Sequence, residues 1–170
     1  INLKTNDHGV GRLIMEKGRR AGDFPYIGSV ASKYLTPDDA QLPGYLHITT
    51  RGLDDNCNGF LGAQYSQLKL PGAKVPENLA RATSIDESAA VRREEFRQRL
   101  SKRFAGKNGQ AAFTDAFESS FAMAEKLMAN KELLKAEPSG KDIERYRSHP
   151  FAKNCILART LLNNGATCVK

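Results

Sequence analysis

Residues 150–170 constrain the fold more than any other stretch. Pro150 suits the first turn of a helix, where its missing N–H has no intrahelical partner to lose. Phe151, Cys155, Ala158 and Leu162 recur at helical spacing, which predicts a helix that buries those four side chains. Gly165 follows Asn163 and Asn164 as a helix stop, and Ala166-Thr167-Cys168-Val169-Lys170 reads as the start of a strand. Helix, glycine, strand is how an α/β protein returns a helix to the next strand of its sheet. A strand at the final residue leads to the expectation that the chain is a piece of a larger α/β protein, cut within that strand.

The rest of the chain reads as helices joined by polar loops. His8 to Lys17 predicts a short helix ended by Gly18. Pro25–Leu35 predicts a second, with Ile27, Val30, Ala31, Tyr34 and Leu35 as its buried stripe. Tyr45–Thr49 predicts a strand; Gly59–Tyr65 has no assignable period; Pro71, Gly72 and Pro76 mark a linker. From Ser84 the pattern turns helical: Ser84 and Glu87 fit a capping box, and Ile85, Ala89, Phe96, Leu100 and Phe104 form a stripe. A break at Gly106–Gly109 precedes another helix, whose Phe113, Phe117 and Phe121 read as core. Pro138-Ser139-Gly140 is a further break, and His149 reads as the cap of the last helix.

This pattern predicts a helix-rich α/β fragment. Residues 1–76 would form part of an α/β core, 77–147 a helical insertion or cap, and 148–170 a core helix and the start of a core strand. No apolar run approaches the roughly 20 residues of a membrane-spanning helix, and no membrane partner is expected. The net charge of +7 invites a nucleic-acid reading. The excess is spread almost evenly, at +2, +3 and +2 over residues 1–76, 77–107 and 108–170, which makes nucleic acid an unfavoured partner. Cys57, Cys155 and Cys168 show no zinc-site spacing. Cys155 and Cys168 read as buried, and Cys57, in a polar loop, as the better candidate for a reactive thiol.

Ile27-Gly28-Ser29-Val30, Gly59-Phe60-Leu61-Gly62-Ala63 and Phe151-Ala152-Lys153-Asn154-Cys155-Ile156-Leu157-Ala158-Arg159 occur in an order and spacing that resembles a bacterial domain-of-unknown-function family. That family is usually placed in the alkaline phosphatase/sulfatase superfamily, and the resemblance runs from about Asn6 to Val169. It implies a partial alkaline-phosphatase-like sheet with flanking helices, in an exported or periplasmic protein. It also implies an anionic phosphate or sulfate ester as substrate and a divalent metal in the full-length protein. Members commonly carry a Trp-Asp-Thr-His stretch shortly after the strand that here begins at Ala166.

The resemblance also points to site residues. His8-Gly9-Val10-Gly11-Arg12, running on to Gly18, is laid out like the sulfatase active-site helix. In that helix a nucleophilic Cys or Ser is followed four residues later by Arg and ten later by Gly. His8 then stands at the nucleophile position and Arg12 at the arginine position; the usual proline and serine between them are missing. His8 is accordingly a candidate metal ligand, a phosphoryl-accepting imidazole, or a surface residue beside a helix cap. Arg12 is an anion binder or a solvated helix residue. His47 reads as structural, and Asp54 and Asp55 beside Asn56 as a weak calcium candidate lacking EF-hand spacing. Three functions follow: part of a sulfatase-like, metal-dependent ester hydrolase; a non-catalytic binding module with a degenerate site; or a basic helical nucleic-acid binder.

Overall fold

The computed structural model describes residues 5–49, 57–76, 79–109, 111–136, 138–147 and 149–170. In chain order the helices are α1 (His8–Lys17), α2 (Ile27–Leu35), α3 (Glu87–Asn108), α4 (Ala111–Ala129), α5 (Gly140–Tyr146) and α6 (Pro150–Asn163). The strands are β1 (Tyr45–Ile48), β2 (Leu68–Leu70) and β3 (Cys168–Val169), with short 3-10 turns at Gly59–Leu61, Ala63–Tyr65 and Lys131–Leu134. The three strands form a parallel sheet in the order β2-β1-β3. Leu46 is level with Leu68 on one side and Val169 on the other.

Strand alternation splits the sheet into two faces. Leu46, Leu70, Ile48, Leu68 and Val169 point into the larger core, where Leu127 of α4, Leu134, and Leu157 and Leu161 of α6 close over them. Tyr45 and Cys168 point the other way, packed with Tyr26, Cys57 and Leu13 of α1. Helices therefore cover both faces of an α/β sheet, as expected. Leu127 and Leu134 lie within 77–147 and share one core with β1 and α6. β2 was not anticipated: three residues after an unassignable loop carry too little period to read.

The structure reverses the expected faces of several helices. In α2 the buried residues are Gly28, Ser29 and Ser32, while Ile27 and Tyr34 are 67% and 70% exposed. The reason is close approach. A Cβ on Gly28 would fall onto the Tyr45 ring, so only glycine lets the helix sit there. Ser29 Oγ meanwhile donates to the Cys57 carbonyl at 2.9 Å. The helix begins at Ile27, with Tyr26 as its cap and Pro25 just outside.

In α6 the inward face is Ala152, Ile156, Leu157 and Leu161, and Phe151, Cys155 and Leu162 are exposed. Its cap is as read: His149 Nδ1 accepts from the Phe151 N–H at 3.2 Å. Cys57 is 2% exposed, its Sγ accepting from the Gln67 N–H at 3.2 Å, so it is a packed thiol and Cys155 the open one.

The long helices differ in the same way. α3 is capped by Asp86, whose Oδ1 accepts from the Ala89 N–H at 2.7 Å, and Ser84 lies before the cap. α3 continues through Gly106 and stops at Gly109. Phe96, Leu100, Phe104, Phe117 and Phe121 are all substantially exposed. α3 and α4 are clasped instead by polar groups. Arg97 donates from both terminal nitrogens to Glu118 at 2.8 Å, also pairs with Glu94, and stacks 4.2 Å from the Phe121 ring centre.

Candidate functional site

In open parallel sheets, ligands bind beyond the carboxyl ends of the strands, where the strand order reverses direction. The chain leaves β1 for β2 on one side, then returns past β1 to β3 on the other. The reversal therefore lies between β1 and β3. Lys170 lies on the β3 side of that reversal, level with His47 of β1. Its carbonyl accepts from the Ile48 N–H at 2.8 Å, and its own N–H donates to the Leu46 carbonyl at 2.9 Å, which pairs its backbone with β1.

The Lys170 side chain reaches α1. Its Nζ lies 2.7 Å from Glu16 Oε1 and 5.5 Å from the centre of the Tyr26 ring. Arg12 Nη1 approaches the same Glu16 oxygen at 3.8 Å, the spacing of neighbours one helical turn apart. Glu16 is 14% exposed in its side chain, and its Oε2 is buried without a hydrogen-bond donor among the described residues. One carboxylate thus gathers two cations beside β1 and β3. Tyr45, beneath α2, has its phenol pushed well above the ordinary range, first by burial and then by the charge of Glu16.

α1 forms where it was read. Asp7 caps it by accepting from the Val10 N–H at 3.0 Å, and Gly18 ends it in the left-handed region at φ 73°. His8 is the first helical residue and is exposed; Asp7, not His8, makes the cap bond. His8 and Arg12 lie one turn apart, with a rise of about 6 Å between them, so His8 sits roughly 12 Å along the axis from Glu16. The two predicted residues share a side of α1, but only Arg12 joins the cluster. Glu16 and Lys170 were not singled out from sequence. The signals available were the Arg12–Glu16 spacing and a lysine directly following a β-run.

The implied metal does not find a set of ligands here. Among the described residues, no group of three or more His, Cys, Asp or Glu side chains comes together to hold an ion. Asp54, Asp55 and Asn56 lie outside the described residues. His47 is buried on β1, level with Lys69 of β2 on one side and with Lys170 on the other, so it adjoins this cluster.

The family model described as protein of unknown function (DUF1501) matches residues 1–170. The chain belongs to that family. No curated protein and no solved structure matches this DUF1501 chain. Among its described residues, no helix is long and apolar enough to cross a membrane.

Proposed function

We propose that this DUF1501 chain forms the anion-receiving side of a sulfatase-like core acting on phosphate or sulfate esters. The observation that carries the reading is the pairing of Arg12 and Lys170 through Glu16 beside the reversal of strand order between β1 and β3. A cation already held by a carboxylate is oriented before the ester arrives, and two such cations match the charge of a tetrahedral oxyanion group. The likeness of the His8–Gly18 stretch to the sulfatase active-site helix supports the same place. On this reading Arg12 and Lys170 bind and orient the ester, and Glu16 positions both. His8, one turn beyond Arg12, faces the leaving or attacking side. Export and a bacterial source belong to the same proposal and rest on the resemblance.

A second reading, a binding module without turnover, is favoured by one observation: the described residues do not assemble a metal-holding group. Titrating inorganic phosphate and sulfate into the chain, and assaying p-nitrophenyl phosphate and p-nitrophenyl sulfate in parallel, separates the two. Anion binding that is lost in Lys170→Ala, with no turnover by this chain, is the expected result. Binding unchanged by both Lys170→Ala and Arg12→Ala sinks the site. Robust turnover abolished by His8→Ala overturns the expectation that this chain is inactive by itself and restores a catalytic role for that imidazole.

A further inference from the structure

The outward side of α3 carries an organised combination of charge and apolar surface that the sheet site does not use. With 3.6 residues per turn, Phe96, Leu100 and Phe104 fall within about 80° of one another. Phe96 is 57% exposed and Leu100 50% exposed. Arg92, Arg93, Arg99, Arg103 and Lys107 fall in the same outward arc of about 140°, and all five are exposed. The acidic residues of α3, Glu87, Glu94 and Glu95, all lie outside it. The inner side of the helix is taken by α4, through Arg97 and Glu118. Charge that is spread evenly along the chain is thus concentrated on one face by the fold.

We propose that this face binds an anionic lipid surface, with Phe96 and Leu100 entering the headgroup boundary and the arginines meeting lipid phosphates. Three features favour a lipid surface over other anionic partners. The arc is the convex outer side of a helix and offers no groove to seat a peptide. Its apolar members are large aliphatic and aromatic side chains, which a double-stranded nucleic acid would leave in water. Long arginine stems let the charge stay at the phosphates while their methylenes lie along the apolar stripe. The expectation of no membrane partner followed from the absence of a spanning run, and lying on a surface needs none.

Co-sedimentation of the full chain with vesicles of equal parts phosphatidylglycerol and phosphatidylcholine, against pure phosphatidylcholine, tests the proposal. The chain should pellet with the anionic vesicles alone. Reversing three charges, as Arg93→Glu/Arg99→Glu/Arg103→Glu, should weaken partition on the order of 100-fold. Phe96→Ser/Leu100→Ser should weaken it and leave a residue of binding that salt abolishes. Circular dichroism checks that the variants fold; if the triple variant does not, Arg99→Glu and Arg103→Glu singly each carry the same test. Equal partition onto both vesicle types overturns the proposal. So does undiminished binding by the charge variants, or binding to a short DNA duplex that requires the arginines while Phe96→Ser/Leu100→Ser leaves vesicle partition unchanged.

Discussion

Arg159 of α6 grips Asp142 of α5 with both terminal guanidinium nitrogens, at 2.7 and 2.8 Å, while the same carboxylate accepts from the Ser139 N–H at 2.9 Å. Asp142 is also the closing member of the capping box that starts α5. One carboxylate therefore fixes a short helix both to its own first turn and to the core helix.

That arrangement has a defined pH dependence. The hydrogen bonds from Arg159, then those from Ser139, hold the Asp142 carboxyl well below the ordinary carboxylate range. A folded-state pKa below the unfolded value, about 3.9 for Asp, means the stabilisation is complete above that value. It is lost as pH falls towards the folded-state pKa. Asp142→Asn should melt lower than the parent at neutral pH, with the gap narrowing below about pH 4. Ser139→Ala should cost about 1 kcal/mol, as cap removals do. A gap that stays constant into acid would assign the effect to packing.

Gly28→Ala should destabilise by roughly 1–3 kcal/mol, although alanine is the better helix former. The added methyl would strike the Tyr45 ring, and α2 would have to lift from β1. Urea unfolding midpoints measure this, and an unchanged midpoint contradicts the close contact.

The thiols should separate by exposure. Cys155 is exposed, Cys57 buried, and the Cys168 thiol is pushed up by burial, which lowers its thiolate fraction. Native protein should release one fast equivalent with Ellman's reagent and the rest only on unfolding. Cys155→Ser should remove the fast phase; a surviving fast phase means that Cys57 or Cys168 opens to solvent.

Beside β1 and β3, Glu16→Gln should weaken inorganic phosphate binding, because Arg12 and Lys170 lose the carboxylate that orients them. Lys170→Ala should weaken it by about tenfold or more, the scale of one charge-assisted hydrogen bond. Calorimetric titration reads both. Tightening by Glu16→Gln would mean that the carboxylate competes for the two cations and does not position them for the ester.

Local signals explain what was legible in the sequence. Gly18, Pro150, His149 and Gly165 bound α1 and α6 by chemistry that acts within a turn, and those helices lie where the signals put them. Helix faces were less legible, because periodicity locates an apolar stripe without naming its neighbour. In α2 close packing of Gly28 on Tyr45 and of Ser32 beside Gly44 puts those two residues inside and turns Ile27 and Tyr34 out. In α3 and α4 Phe117 and Phe121 read as core but are substantially exposed, and Arg97 clasps the two helices through Glu118 while lying over the Phe121 ring. Of the site, Arg12 was reachable through resemblance. Its union with Lys170 was not, because it requires β3 to pair with β1 across almost the whole chain.

That strand order also dictates a timetable. β1 meets β2 after a short excursion, but meets β3 only after α3 to α6 have intervened. Closing the several-fold longer loop costs roughly 1.5 kcal/mol more in chain entropy, a modest penalty for accommodating four helices. The larger consequence is kinetic, since long-range pairing is slow. One edge of β1, and with it the place where Lys170 joins Arg12, should therefore pair later than the edge that meets β2, and the cation pair should mature with it.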